Sequence, residues 1–164
     1  MVKYLILIFF SFSFSFSAIA KDLVIVDIDF LIKNSKIGKK ILTDINSENK
    51  KIIEKFKSEE ENFKKEESKL VSKKKILSDV EFQKELSSFK NKIVDYNSNK
   101  NRILNDFNIK KNNKFAKFYD DINKILITYS EKNDITTVLD KKNVLISRSD
   151  TDITKNILNI IDNK

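Results

Sequence analysis

Carboxylates and amines are the reactive side chains this sequence offers in number: 24 Asp and Glu against 32 Lys and Arg, with no histidine and no cysteine. Paired carboxylates can perform general acid–base chemistry. Here, however, acids and lysines interleave at the spacings of a solvated helix face. Without imidazole or thiolate, the commonest general base, the thiol nucleophile and the usual zinc ligands are all missing. No G-x-G-x-x-G or G-x-x-x-x-G-K run provides a phosphate cradle. The chain is therefore expected to be no enzyme and to have no catalytic residue, no metal site and no cofactor. What remains is long-range attraction by positive charge, because the chain carries a net charge of +8. Residues 81–118 are the richest part, with nine basic residues against four acids. Lys84, Lys90, Lys92, Lys100, Arg102, Lys110, Lys111, Lys114 and Lys117 are the candidate binding residues for an acidic partner. Such attraction weakens with salt.

The first residues, MVKYLILIFFSFSFSFSAIAKD, join Lys3 to an apolar run from Tyr4 to Phe16 and then to Ala18-Ile19-Ala20. This is the pattern of a secretory signal peptide over residues 1–20, cleaved after Ala20. A membrane anchor is the competing reading, but the run falls short of the ~20 apolar residues a spanning helix needs and serines interrupt it. Lipidation is excluded by the missing cysteine. Export without cysteine also means that disulfides cannot stabilise the fold, so packing, including packing against other copies, must do so.

The elements that would position the charge follow from the apolar pattern. Residues 21–27, KDLVIVD, form an unbroken β-branched run that reads as a buried strand. From about Phe30 the period becomes helical and runs almost without a breaker to about Lys132, since there is one glycine and no proline. Leu42, Phe56, Phe63, Leu70 and Leu77 recur in steps of seven, with Asn49 breaking the series, and Phe82, Phe89, Tyr96 and Ile103 form a second series. Folding the chain back near residue 79 pairs Leu77 with Phe82, Leu70 with Phe89, Phe63 with Tyr96 and Phe56 with Ile103, which predicts an antiparallel helical hairpin. Ser78 and Glu81 fit a capping box at the turn. A single uninterrupted helix is the competing geometry. A second row, Ile45 and Ile52, turns polar at Glu59, Glu66 and Lys73, so the seam narrows toward the tip.

Near the end, Ile135–Asp140 and Val144–Arg148 read as two strands around a turn at residues 141–143. A last helix is expected from Thr151 to Ile161, capped by Asp150 or Asp152. The expected fold class is α+β: a helical-hairpin arm over residues 48–118, tip near 77–79, on a small sheet body built from residues 21–47 and 119–164. Three short strands would leave open edges. Either the chain's own helices cover them or strands of neighbouring subunits do so in a shared barrel. Leu23, Ile25, Ile135, Val138, Val144 and Ile146 are the candidate interface residues. After removal of Lys3 with the signal, the arm segments 48–80 (+2) and 81–118 (+5) hold the excess charge, while the body segments 21–47 (+1) and 119–164 (−1) cancel. Nucleic acid is the reflex partner for a pI near 9.4. Export and the single arginine on the arm argue against it.

The two ends of the mature chain, KDLVIVDIDFLIKNSKIGKK and DITTVLDKKNVLISRSDTDITKNILNIID, resemble the Skp/OmpH family of periplasmic chaperones. The resemblance rests on the aliphatic-Val-Asp strand, the S-x-x-G-K segment at Ser35 to Lys39, and the strand, turn and strand followed by Asp152-Ile153-Thr154. It implies a periplasmic homotrimer in which a β-barrel body carries three helical arms around a cavity. That cavity would shield unfolded outer-membrane β-barrel proteins without ATP. A transient contact with an anionic membrane surface would suit so basic a chain. The abundance of Lys and Asn and the polar distal seam depart from the family pattern, and no lipopolysaccharide-binding motif is evident. The alternative from another class is an exported coiled-coil scaffold with one fixed partner.

Overall fold

The computed structural model describes residues 23–163; the expected signal peptide lies outside them. The chain runs as strand β1 (Leu23–Val26), helix α1 (Ile28–Asn34), helix α2 (Lys36–Lys73), helix α3 (Asp79–Lys132), strand β2 (Thr137–Asp140) and helix α4 (Thr154–Asp162). Two single 3₁₀ turns, Lys141–Asn143 and Ser149–Thr151, stand between β2 and α4.

The long helices form the expected antiparallel pair, and the alternative of one continuous helix is excluded by the turn between Lys73 and Asp79. α2 has 38 residues and α3 has 54, about 57 and 81 Å at 1.5 Å per residue. The turn forms for the reason the sequence suggests: Ser78 Oγ accepts from the Glu81 amide, and the Glu81 carboxylate accepts from the Ser78 amide. These bonds satisfy donors that the first turn of α3 would otherwise leave open. The Ser78 hydroxyl, donating to Glu81 Oε2 at 2.7 Å, and then the Ser78 amide hold the Glu81 carboxyl below its ordinary pKa. α2 ends at Lys73, and Lys74, at its C-cap, approaches the Phe82 ring at 5.9 Å.

The helical run is not continuous at its start. Ser35, fully buried, ends α1 in extended conformation and begins α2. Its amide donates to the Leu31 carbonyl, and its Oγ accepts from the Gly38 amide. Gly38 then lies so close to α1 that a β-carbon there would collide with the Ile32 carbonyl. The S-x-x-G spacing is thus a sharp corner: serine caps, and glycine admits the neighbouring backbone.

The body is smaller in strand content than the sequence suggests. β1 and β2 pair in parallel, Leu23 with Thr137 through Val26 with Asp140, in a two-stranded sheet. Parallel strands require a long crossover, and here the whole arm supplies it. Val144–Arg148 is not a strand: the chain bends at Leu145, and Leu145 and Ile146 stand in solvent. β1 meets Asp152 by a single bridge at Ile25 instead. α4 begins at Thr154, three residues later than expected, because residues 149–151 coil into the 3₁₀ turn.

The core gathers the first and last of the described elements. Val24, Val26, Leu31 and Ile32 pack with Phe118, Ile122 and Ile125 of α3 and with Ile153 and Ile157. As the β-branched run implies, three successive residues of β1 are buried on both faces.

Candidate functional site

The arm seam is built from the aromatic series. Phe63 meets Tyr96 edge to face at 5.1 Å, Phe63 meets Phe89 at 6.2 Å, and Phe56 meets Tyr96 at 6.2 Å. Such pairs add to simple burial, but the seam is one residue wide. Of the α2 residues on the arm only Phe56 and Leu70 are buried. The arm therefore buries little apolar surface, and exposed ion pairs between its helices supplement the seam.

That charge is organised by the same register. Asp44 pairs with Lys114 at 3.3 Å, Glu48 with Lys110 at 3.2 Å, Glu60 with Lys100 at 2.7 Å, Glu66 with Lys92 at 2.9 Å, and Lys73 with Glu85 at 2.9 Å. Stepping outward along α2, each partner lies further back along α3. The Glu60 contact is a small network: its carboxylate also accepts from Tyr96 Oη at 2.9 Å, and the Lys100 ammonium lies over the rings of Phe56 and Tyr96. The Lys100 hydrogen bond, then that of Tyr96, lowers the Glu60 pKa. The Glu60 bond raises the Lys100 pKa, and partial burial followed by the Glu60 bond raises that of Tyr96.

The nine candidate cations consequently divide. Lys92, Lys100, Lys110 and Lys114 are struts between the arm helices. Arg102 is held on its own helix, by Asp106 at 3.6 Å and by the Asn99 side-chain oxygen. Lys84, Lys90, Lys111 and Lys117 make no ion pair among the described residues. The sequence contained the signal for this division, since the register that stacks Phe63 on Tyr96 also brings Glu66 level with Lys92.

The body closes through a polar joint at Asp152-Ile153-Thr154. The Asp27 amide donates to Thr154 Oγ1 at 2.8 Å, the Ile153 amide donates to the Ile25 carbonyl at 2.9 Å, and the Thr154 amide donates to Asp152 Oδ1 at 3.0 Å. Asp152 Oδ2 accepts from Lys141 Nζ at 2.7 Å. Partial burial pushes the Asp152 pKa up, but the bonds from Lys141 and Thr154 outweigh it and leave the carboxyl below its ordinary value. Asp27 also caps α1 through the Phe30 amide.

The six candidate interface residues are scattered by depth. Ile25 is 1% exposed, its side chain buried within its own chain. Ile135 and Val138 pack partly against the chain's own core, and Val144 is half-buried. Leu23 is exposed and Ile146 is 92% exposed, with Leu145 beside it, a residue the strand pattern did not single out. Beside β2 lies an apolar groove of about 630 Å³, lined among others by Val26, Ile28, Leu126, Ile127 and Val138. Among the described residues no cluster of acids could hold a metal ion, and no helix is long and apolar enough to cross a membrane.

No curated protein matches the chain in sequence. A solved structure described as a candidate outer membrane chaperone (OmpH-like) from Caulobacter crescentus CB15 has a similar fold. Its TM-score is 0.80 and its identity 13%, over 87% of this chain and 84% of that one. The model of the OmpH-like outer membrane protein family matches residues 22–161, a span that runs from β1 through the arm and back to α4. With the joint that binds those two ends and the arm that connects them both inside this match, the chain belongs to the OmpH-like family.

Proposed function

We propose that the protein is an ATP-independent periplasmic holdase that keeps unfolded outer-membrane β-barrel proteins from aggregating. Three copies complete one another's bodies, and their arms enclose the client. The family and the description of the Caulobacter structure support a chaperone role.

The observation that carries the reading is a division of labour within one chain. The body leaves an edge strand and the aliphatic pair Leu145-Ile146 without partners of their own. Such an edge calls for another strand. The arm, by contrast, buries little and carries the excess of positive charge. An arm of this kind holds a client by many weak contacts, so no single contact dominates and release needs no nucleotide.

The test is suppression of light scattering when a urea-unfolded outer-membrane β-barrel protein is diluted into buffer without nucleotide. The mature protein should suppress scattering at near-stoichiometric amounts of trimer, and less so at high salt. Undiminished aggregation, or a single fixed partner recovered from periplasm in place of many, would contradict the proposal.

A further inference from the structure

The two flanks of the arm differ. At about 100° per residue, Asp44, Glu48, Glu66 and Lys73 fall on one side of the α2 line through Phe56, Phe63 and Leu70. Their partners Lys114, Lys110, Lys92 and Glu85 lie on the matching side of α3, so four ion pairs close this flank. Its remaining surface is polar, with Asn62 and Glu59 on α2 and Ser88, Asp95 and Asn99 on α3.

The same rotation sets Ile53, Lys57, Glu60, Lys64 and Val71 on the opposite side of α2. There a single ion pair, Glu60 with Lys100, crosses between the helices. Apolar side chains stay in water: Ile53 is 56%, Val71 64% and Leu104 38% exposed. The register brings Ile53 level with Leu104, and Val71 level with Leu86, so the apolar groups form patches across both helices. Lys57, Lys64, Lys90 and Lys111 punctuate this flank and make no ion pair among the described residues. Its acids are Glu60, already bound by Lys100 and Tyr96, and Glu67.

We infer that this second flank is the surface that takes the client. Its occupant is an extended, unfolded segment in which apolar and acidic residues alternate, the former meeting the Ile53–Leu104 and Val71–Leu86 patches and the latter the unpaired lysines. The choice of occupant rests on charge complementarity, since the flank carries five lysines, Lys57, Lys64, Lys90, Lys100 and Lys111, against two glutamates. The inference builds on the holdase reading and adds which face of each arm turns toward the cavity.

The experiment places the photo-crosslinker p-benzoylphenylalanine at Ile53, Val71 or Leu104, and in parallel at Asn62, Ser88 or Asn99. Each protein is irradiated with a urea-unfolded, net acidic outer-membrane β-barrel protein diluted into low-salt buffer. Adducts are expected from the first three positions and not from the second three. A second arm needs no bulky probe: Lys57→Gln, Lys64→Gln and Lys90→Gln together should weaken client affinity about tenfold, the order expected for three exposed charge contacts. Adducts from the polar flank alone, or unchanged affinity of the triple variant, would overturn the flank assignment while wild-type holding leaves the holdase reading in place. Wild-type protein that fails to suppress aggregation would overturn both.

Discussion

At the scale of single residues, the polar joint does the work that a disulfide could have done in a chain that had cysteine. Thr154 is nearly buried, and its hydroxyl is the acceptor for the Asp27 amide. Thr154→Val keeps the shape and removes the acceptor, leaving a partly buried donor unpaired. The expected loss is about 1–3 kcal/mol, read as a lower midpoint in urea by far-ultraviolet circular dichroism. Asp152 has a pH signature. Its carboxyl titrates below the ordinary value of 3.8 in the folded chain, so its stabilisation is complete above 3.8 and vanishes as pH falls through the lowered folded value. Asp152→Asn should be less stable than wild type at neutral pH, and the gap should close on acidification, measured by thermal unfolding across that range. A gap independent of pH would show that the carboxylate charge is not what matters. The Asp152-Ile153-Thr154 run was visible in the sequence as a pattern. Its role was not, because its partners Ile25 and Asp27 stand at the other end of the chain.

At the scale of elements, local chemistry explains what the sequence reveals and what it hides. The arm register was legible because each apolar position repeats every seven residues and the capping box fixes where the chain reverses. The corner at Ser35 was hidden inside a helical period, since serine and glycine both occur within helices and only the packing against Ile32 demands the break. Gly38→Ala should cost about 1–3 kcal/mol or more through overpacking against backbone, seen as a fall in melting temperature of the whole fold. The Val144–Arg148 strand pattern was sound as local propensity. A strand nevertheless needs a partner, and within one chain this segment finds none. The ladder of exposed ion pairs predicts a salt-sensitive arm, since exposed charges are screened while the apolar core is not. Amide exchange between residues 85 and 105 should accelerate in molar salt, while exchange around Phe118 to Ile125 holds steady. Glu66→Lys should have the same local effect at low salt, and adding Lys92→Glu should restore protection by reversing the pair.

For the whole molecule, the fold is a loop of helix tied off at its base. The first and last of the described elements meet in one core, and the arm stands out from it with little buried surface of its own. Sequence periodicity reveals the arm, because that pattern is encoded in neighbouring residues, and an arm that doubles back brings the segments at its base together. It does not reveal what covers the edge of β2 or Leu145 and Ile146, which find no partner among the described residues. Under the proposed function, sister chains cover those groups. Light scattering on residues 21–164 after size-exclusion chromatography tests this most directly. It should give a single species with the mass of a trimer for the wild-type chain and single-chain mass for Ile146→Asp. A wild-type species of single-chain mass, or a variant that assembles as wild type does, would contradict it.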